Sequence, residues 1–162
     1  PHIETQRKEI FQILEGEEQF NLKANEILNS AEEELFLFAA ESDLASLYHS
    51  GFLDSLAKIQ KKNVQVRLLT HQSQKSQFFV DKNKLLEAYF PRADVKNLQS
   101  FLIADNEQVL LKIKTNNNHS MDEITNRRNK TKLASLWTNY EAFVGALTVL
   151  FSELWDNRFA SS

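Results

Sequence analysis

The chain has 162 residues, 42% apolar and 25% charged, values that give one domain with its own core and exclude a disordered chain. Three glycines and two prolines are too few turn formers for an all-β fold, and the absence of cysteine excludes disulfides, thiol nucleophiles and thiolate metal sites. The net charge of −3 lacks the basic excess of a dedicated nucleic-acid binder, and no apolar run reaches the ~20 residues that span a bilayer.

The opening Pro1-His2-Ile3-Glu4 has neither an initiator Met nor a signal-like apolar stretch, and reads as the start of a piece cut from a longer protein. Ile3, Ile10, Phe11 and Leu14 fall at helical spacing and predict a helix over 3–15, broken at Gly16. Residues 1–17 are thereby expected to be an N-terminal linker helix, with 18–162 as the domain. A second helix is expected over 18–31, with Phe20, Ala24, Ile27 and Leu28 inward. Leu35-Phe-Leu-Phe-Ala-Ala40 is continuously apolar, the mark of a strand covered on both faces.

Residues 41–50 read as a polar connection with at most a turn of helix. A helix over 52–62 buries Phe52, Leu53, Leu56 and Ile59, carries an Asp54/Lys58 pair, and ends at Asn63 in the left-handed conformation. A strand follows over 64–69, then a loop over 70–77, a helix over 81–90 stopped by Pro91, and a weak strand over 92–98. Strands over 100–104 and 108–112 form a hairpin through Asp105-Asn106-Glu107.

Residues 115–130 hold only Met121 and Ile124 as apolar residues and read as a long surface loop. A strand over 133–137 leads to Thr138 and Glu141, spaced as a capping box. The helix it opens runs to about Asp156, with Phe143, Leu147, Leu150 and Leu154 in one stripe and Val144, Phe151 and Trp155 beside it. The expected fold is α/β, a mixed β-sheet flanked by helices on both faces.

No two of His2, His49, His71 and His119 lie within one helical turn, and the three glycines form no phosphate loop, so neither metal nor cofactor is expected. Glu41, Ser42 and Asp43 follow the first apolar strand and form either a sugar- or cation-binding group or a solvated loop. Asp105 is either a site residue or a turn residue. Trp137, Thr138 and Asn139 lead into a helix N-terminus, a place for an anion or simply a helix cap beside a core Trp. Arg67 reads as structural, paired with a carboxylate across the sheet. His71, Lys75 and the cluster Arg127, Arg128, Lys130 and Lys132 read as solvated polar surface.

Three stretches, taken in order, resemble a known family. They are the strand–helix–strand unit over 34–69, the hairpin over 100–113, and Leu136-Trp-Thr-Asn-Tyr-Glu-Ala-Phe143 running into Leu150-Phe-Ser-Glu-Leu-Trp155. Over roughly 25–157 the chain resembles the phospholipase D-like half-domain, in the catalytically silent form of TrmB-type effector domains and archaeal histidine-kinase sensors. That family's motif is His-x-Lys-x4-Asp. Asp105 fits its last position, but Leu98 stands at the His position and Ser100 at the Lys position.

The resemblance implies the frame without the chemistry: a cytoplasmic, non-catalytic sensory or effector domain of an archaeal-type signalling or transcription regulator. It would bind a small ligand or a partner protein at Glu41, Ser42, Asp105, Trp137, Thr138 and Asn139, pair as a homodimer, and reach nucleic acid only through another domain. The alternatives are a divergent phosphodiesterase using His71 or His119, and a protein-interaction module without a small ligand.

Overall fold

The computed structural model describes residues 8–82, 86–115 and 132–160. In chain order the elements are β1 (Phe11–Glu15), α1 (Gly16–Ser30), β2 (Glu34–Ala39), α2 (Glu41–His49), α3 (Phe52–Ile59) continuing as a 3-10 turn (Gln60–Lys62), β3 (Gln65–Thr70), α4 (Gln74–Lys82), β4 (Ala88–Pro91), β5 (Phe101–Ala104), β6 (Gln108–Thr115), β7 (Lys132–Thr138), α5 (Glu141–Asp156) and β8 (Arg158–Ala160). The strands form one sheet in the order β1-β7-β6-β5-β2-β3-β4-β8. Only the β2–β3 and β3–β4 pairs are parallel.

The apolar run in β2 serves two cores, because successive strand side chains point to opposite faces. Leu35, Leu37 and Ala39 join Leu68, Leu102, Ala104 and Leu110 beneath α1, α2, α3 and α4. Phe36 and Phe38 join Leu69, Phe101, Ile103 and Val109 beneath α5, which contributes Val144, Phe151 and Leu154. There the Phe36 and Phe151 rings stack at 4.9 Å. The α/β class, the mixed sheet and the helices on both faces are as the sequence predicts.

Several local expectations are overturned. Of the linker helix expected over 1–17, residues 1–7 lie outside the described residues, 11–15 are an edge strand, and only Gly16 and Glu17 are helical. Pairing of Phe11 with Thr138 and of Leu14 with Ser135 outweighs a helical spacing that the same apolar residues also satisfy. Residues 41–49 form a helix rather than a connection, with Asp43, Leu44 and Leu47 inward and its polar residues mostly outward.

The helix expected over 81–90 starts earlier and ends at Lys82, and Ala88–Pro91 is a strand. Its start signal is a reciprocal cap that uses serine in place of glutamate. The Ser76 N–H donates to Ser73 Oγ at 3.0 Å and the Ser73 N–H to Ser76 Oγ at 2.8 Å. Residues 92–98 are not a strand but a turn region, closed by a Leu98 N–H to Val95 carbonyl bond of 3.0 Å. The strand β8 is an addition, and the loop expected over 115–130 lies outside the described residues beyond Thr115.

Thr138 does not cap through Glu141. Its hydroxyl accepts from the Tyr140 N–H at 3.0 Å and donates to the Ile10 carbonyl at 2.8 Å. Asn63 (φ 64°) does end its helix in the left-handed conformation, and Gly16 (φ 87°) makes the break between β1 and α1 that a side chain would strain.

Candidate functional site

The β5–β6 hairpin turns through Asp105 and Asn106, both at φ 53°. From that turn the Asp105 carboxylate accepts three backbone N–H groups, from Glu32 at 2.9 Å, Glu33 at 2.8 Å and Glu34 at 2.9 Å. The Asp105 N–H in turn donates to the Glu34 carbonyl at 3.0 Å. Asp105 is therefore a latch on the chain entering β2. It lies at the end where β2 begins, whereas Glu41 and Ser42 follow the end where β2 stops.

The expected site residues are split between the two ends of the sheet: Asp105, Trp137, Thr138 and Asn139 lie at the end where β2 begins, and Glu41 and Ser42 at the opposite one. Trp137 donates its indole N–H to Gln108 Oε1 at 2.9 Å and carries the Lys23 ammonium 4.1 Å above its ring. Asn139 accepts the Ile10 N–H at 2.8 Å and donates to the Lys8 carbonyl at 3.0 Å, so with Thr138 it ties the start of β1 to β7. Glu41 is half-buried and Ser42 exposed at the start of α2.

The Arg67 guanidinium lies over the rings of Phe36 (5.2 Å) and Trp155 (5.0 Å). Arg158 covers the Trp155 ring at 4.0 Å. Glu34, on the same sheet face as Arg67, has its carboxyl raised above the usual range by burial, with Arg67 opposing the shift. Arg127, Arg128 and Lys130 lie outside the described residues.

What the fold does bring together is a polar cluster in the α1–α4 core. A row of inward-facing polar residues crosses the sheet: Ser135 on β7, Lys112 on β6, Ser100 just ahead of β5, and Thr70 on β3, all buried. Asp43, from the first turn of α2, sits above the row and is buried as well. Lys112 Nζ donates to Asp43 Oδ1 at 3.0 Å and to Glu17 Oε1 at 3.5 Å, and lies 4.7 Å over the Phe20 ring.

Ser100 Oγ donates to Asp43 Oδ2 at 2.5 Å and accepts the Ala40 N–H at 2.8 Å. Ser46 donates to the same Glu17 oxygen that Lys112 holds, at 2.8 Å. The adjoining void, lined by Phe20, Leu37, Leu47 and Phe52, measures about 10 Å³, no more than one water needs. Lys112, Asp43 and Ser100 thus satisfy one another, an ammonium with two carboxylates and an aromatic face and a serine with both a donor and an acceptor partner, while the buried Ser135 hydroxyl at the end of the row has no hydrogen-bond partner among the described residues.

By sequence alone Asp43 falls in a connecting loop and Lys112 belongs to no motif. The available signal was parity. Leu110 faces the core, and strand alternation turns Lys112 the same way, so a lysine there needs a buried carboxylate.

The open sheet, its strand order and its two helical layers define a phospholipase D-like fold that resembles TrmB-type domains. Among solved structures the chain is similar to TrmBL2, an archaeal chromatin protein with a novel mode of DNA binding, at 18% identity and a TM-score of 0.61 over 98% of this chain and 57% of that one. It is also similar to Nuc from Salmonella typhimurium, a phospholipase D family member, at 11% identity and a TM-score of 0.65 over 95% and 99% of the two chains. NucT from Helicobacter pylori gives 12% identity and a TM-score of 0.62 over 95% and 100%. The chain thus spans little more than half of TrmBL2. No family model and no curated protein matches the sequence.

Proposed function

We propose that this is a non-catalytic sensory or effector domain of a signalling or transcription regulator, acting as a homodimer on a small ligand or a partner protein. The observation that carries the reading is the bonding of Ser100. It stands where the family motif has its lysine, yet it is spent on Asp43, and the carboxylate it meets opposes any phosphate brought there. At the His position, Leu98 offers no nucleophile.

His49 lies exposed on α2, its ring packed edge-on against Tyr48 and Phe79, and His71 is half-buried just after β3. The net charge of −3 supports DNA contact, if the regulator makes any, through another domain. The lack of cysteine favours a cytoplasmic setting, and among the described residues no helix is long and apolar enough to cross a membrane.

Two assays test the reading together. Hydrolysis of a chromogenic phosphodiester should stay at background, and a thermal-shift panel of sugars, nucleotides and metabolites should raise the melting temperature for one class. Hydrolysis lost in His71→Ala or His119→Ala would overturn the non-catalytic assignment. A flat panel would leave a protein partner as the input.

A further inference from the structure

We propose that two copies of this chain pair through the free edge of β1, antiparallel, about a two-fold axis at Phe11. The proposal deepens the homodimer part of the reading above and names its contact. Ile10 fixes the direction of the backbone. Its N–H donates to Asn139 and its carbonyl accepts from Thr138, both toward β7. Backbone groups alternate along a strand, so those of Gln12 and Leu14 also point to β7, and those of Glu9, Phe11, Ile13 and Glu15 point outward. In the strand order β1 has β7 on one side and, among the described residues, no strand on the other.

This edge is guarded only by the carboxylates of Glu9 and Glu15 at its two ends. Natural edge strands are blunted by lysine, proline or a bulge. Phe11-Gln-Ile-Leu-Glu15 has none of these, and Phe11 and Ile13 are 55% and 61% exposed on the same face. The Phe11 ring continues onto Tyr140 at 5.1 Å, itself exposed, which widens the apolar strip.

The occupant follows from which outward groups remain open. The Glu15 N–H is already taken by Gln19 Oε1 at 3.2 Å. The open edge is therefore Glu9, Phe11 and Ile13, three residues symmetric about Phe11. A two-fold there sets Phe11 against the partner's Phe11 and Ile13 against the partner's Glu9, and uses every open group. The neighbouring register, centred on Gln12, would set Glu9 against the partner's Glu15 twice and need an amide that is not free. Of these two registers the edge favours the one centred on Phe11.

Because the chain has no cysteine, an introduced one is unique. At the axis, facing Cα atoms of a hydrogen-bonded antiparallel pair lie about 5.5 Å apart, within disulfide range. Phe11→Cys should therefore cross-link into a dimer on mild oxidation, while Gln12→Cys should not. By light scattering the unmodified chain should be a dimer at high micromolar concentration. Ile13→Pro, which removes an outward N–H and no bond to β7, should be a monomer with its melting temperature within a few degrees of the parent.

A chain that is monomeric throughout, or a dimer that ignores Ile13→Pro, would overturn the β1 contact. In the second case the homodimer survives on another face, so the two failures are distinguishable. Cross-linking through Gln12→Cys in place of Phe11→Cys would overturn the register.

Discussion

Lys112 and Ser100 lie opposite each other across the β5–β6 pair, joined by a Lys112 N–H to Ser100 carbonyl bond of 2.9 Å, and their side chains end on the two oxygens of one carboxylate, Asp43. A helix-borne anion is thereby held over the middle of the sheet by Lys112 of β6 and by Ser100, just ahead of β5. Three elements that meet only in the folded chain share this bond network, and that makes it sensitive to single changes.

Asp43→Ala leaves the Lys112 ammonium buried, with Glu17 as its remaining carboxylate partner, and Glu17 is 46% exposed. Breaking a buried pair from one side costs about 3–5 kcal/mol. Urea unfolding should show a loss of that size for Asp43→Ala and for Lys112→Ala. The double variant Asp43→Leu/Lys112→Met should lose much less than the sum, because it strands no charge. Additive losses would mean that the two residues are not coupled.

Ser100→Lys puts a second ammonium beside Lys112, where Asp43 is the only buried carboxylate among the described residues. The expected outcome is a loss of about 3 kcal/mol or more. Ser100→Lys/Lys112→Ser moves the single cation to the facing strand and should recover most of it. If the swap is no more stable than Ser100→Lys alone, the two positions do not share one charge site.

The three N–H groups on Asp105 predict a graded response. Asp105→Ala removes every acceptor and also strains a residue at φ 53°, so a loss of about 3 kcal/mol is expected. Asp105→Asn keeps one acceptor oxygen and tolerates that φ, so about half the loss is expected. Equal losses in denaturant midpoint would show that the turn, not the latch, carries the effect.

Glu34 supplies a pH test. Burial raises its carboxyl above the ordinary value of 4.5, so the folded chain holds this proton more readily than the unfolded chain. Stability from this group is therefore greatest at low pH and falls as pH rises from the ordinary to the raised value. Glu34→Gln removes that dependence. Its stability relative to the parent should improve across that window and then level off, as read from urea midpoints at stepped pH. A difference that runs the other way would make the Arg67 attraction dominant.

The sheet, its two helical layers and α5 were legible because apolar runs and helical stripes report burial directly, as in Leu35–Ala39 and the Val144/Phe151/Leu154 face. Two segments were misread for a shared reason. The apolar residues of β1 satisfy a helical spacing as well as an alternating one, and the choice was made by β7, more than a hundred residues away. Similarly, β4 has four residues and too little pattern to compete with the helix signal before it. In the candidate site, the turn residue Asp105 was visible but its three N–H partners were not, since they depend on how β2 enters the sheet. Lys112 was hidden because strand parity matters only once the core side of β6 is known.

The pairing of β1 with β7 has a further consequence for how the chain is made. Phe11 pairs with Thr138, so during synthesis the first strand emerges long before its neighbour exists. Through that interval Phe11 and Ile13 are available to chaperones or to other nascent chains, and closure of this side of the sheet waits until β7 has been made.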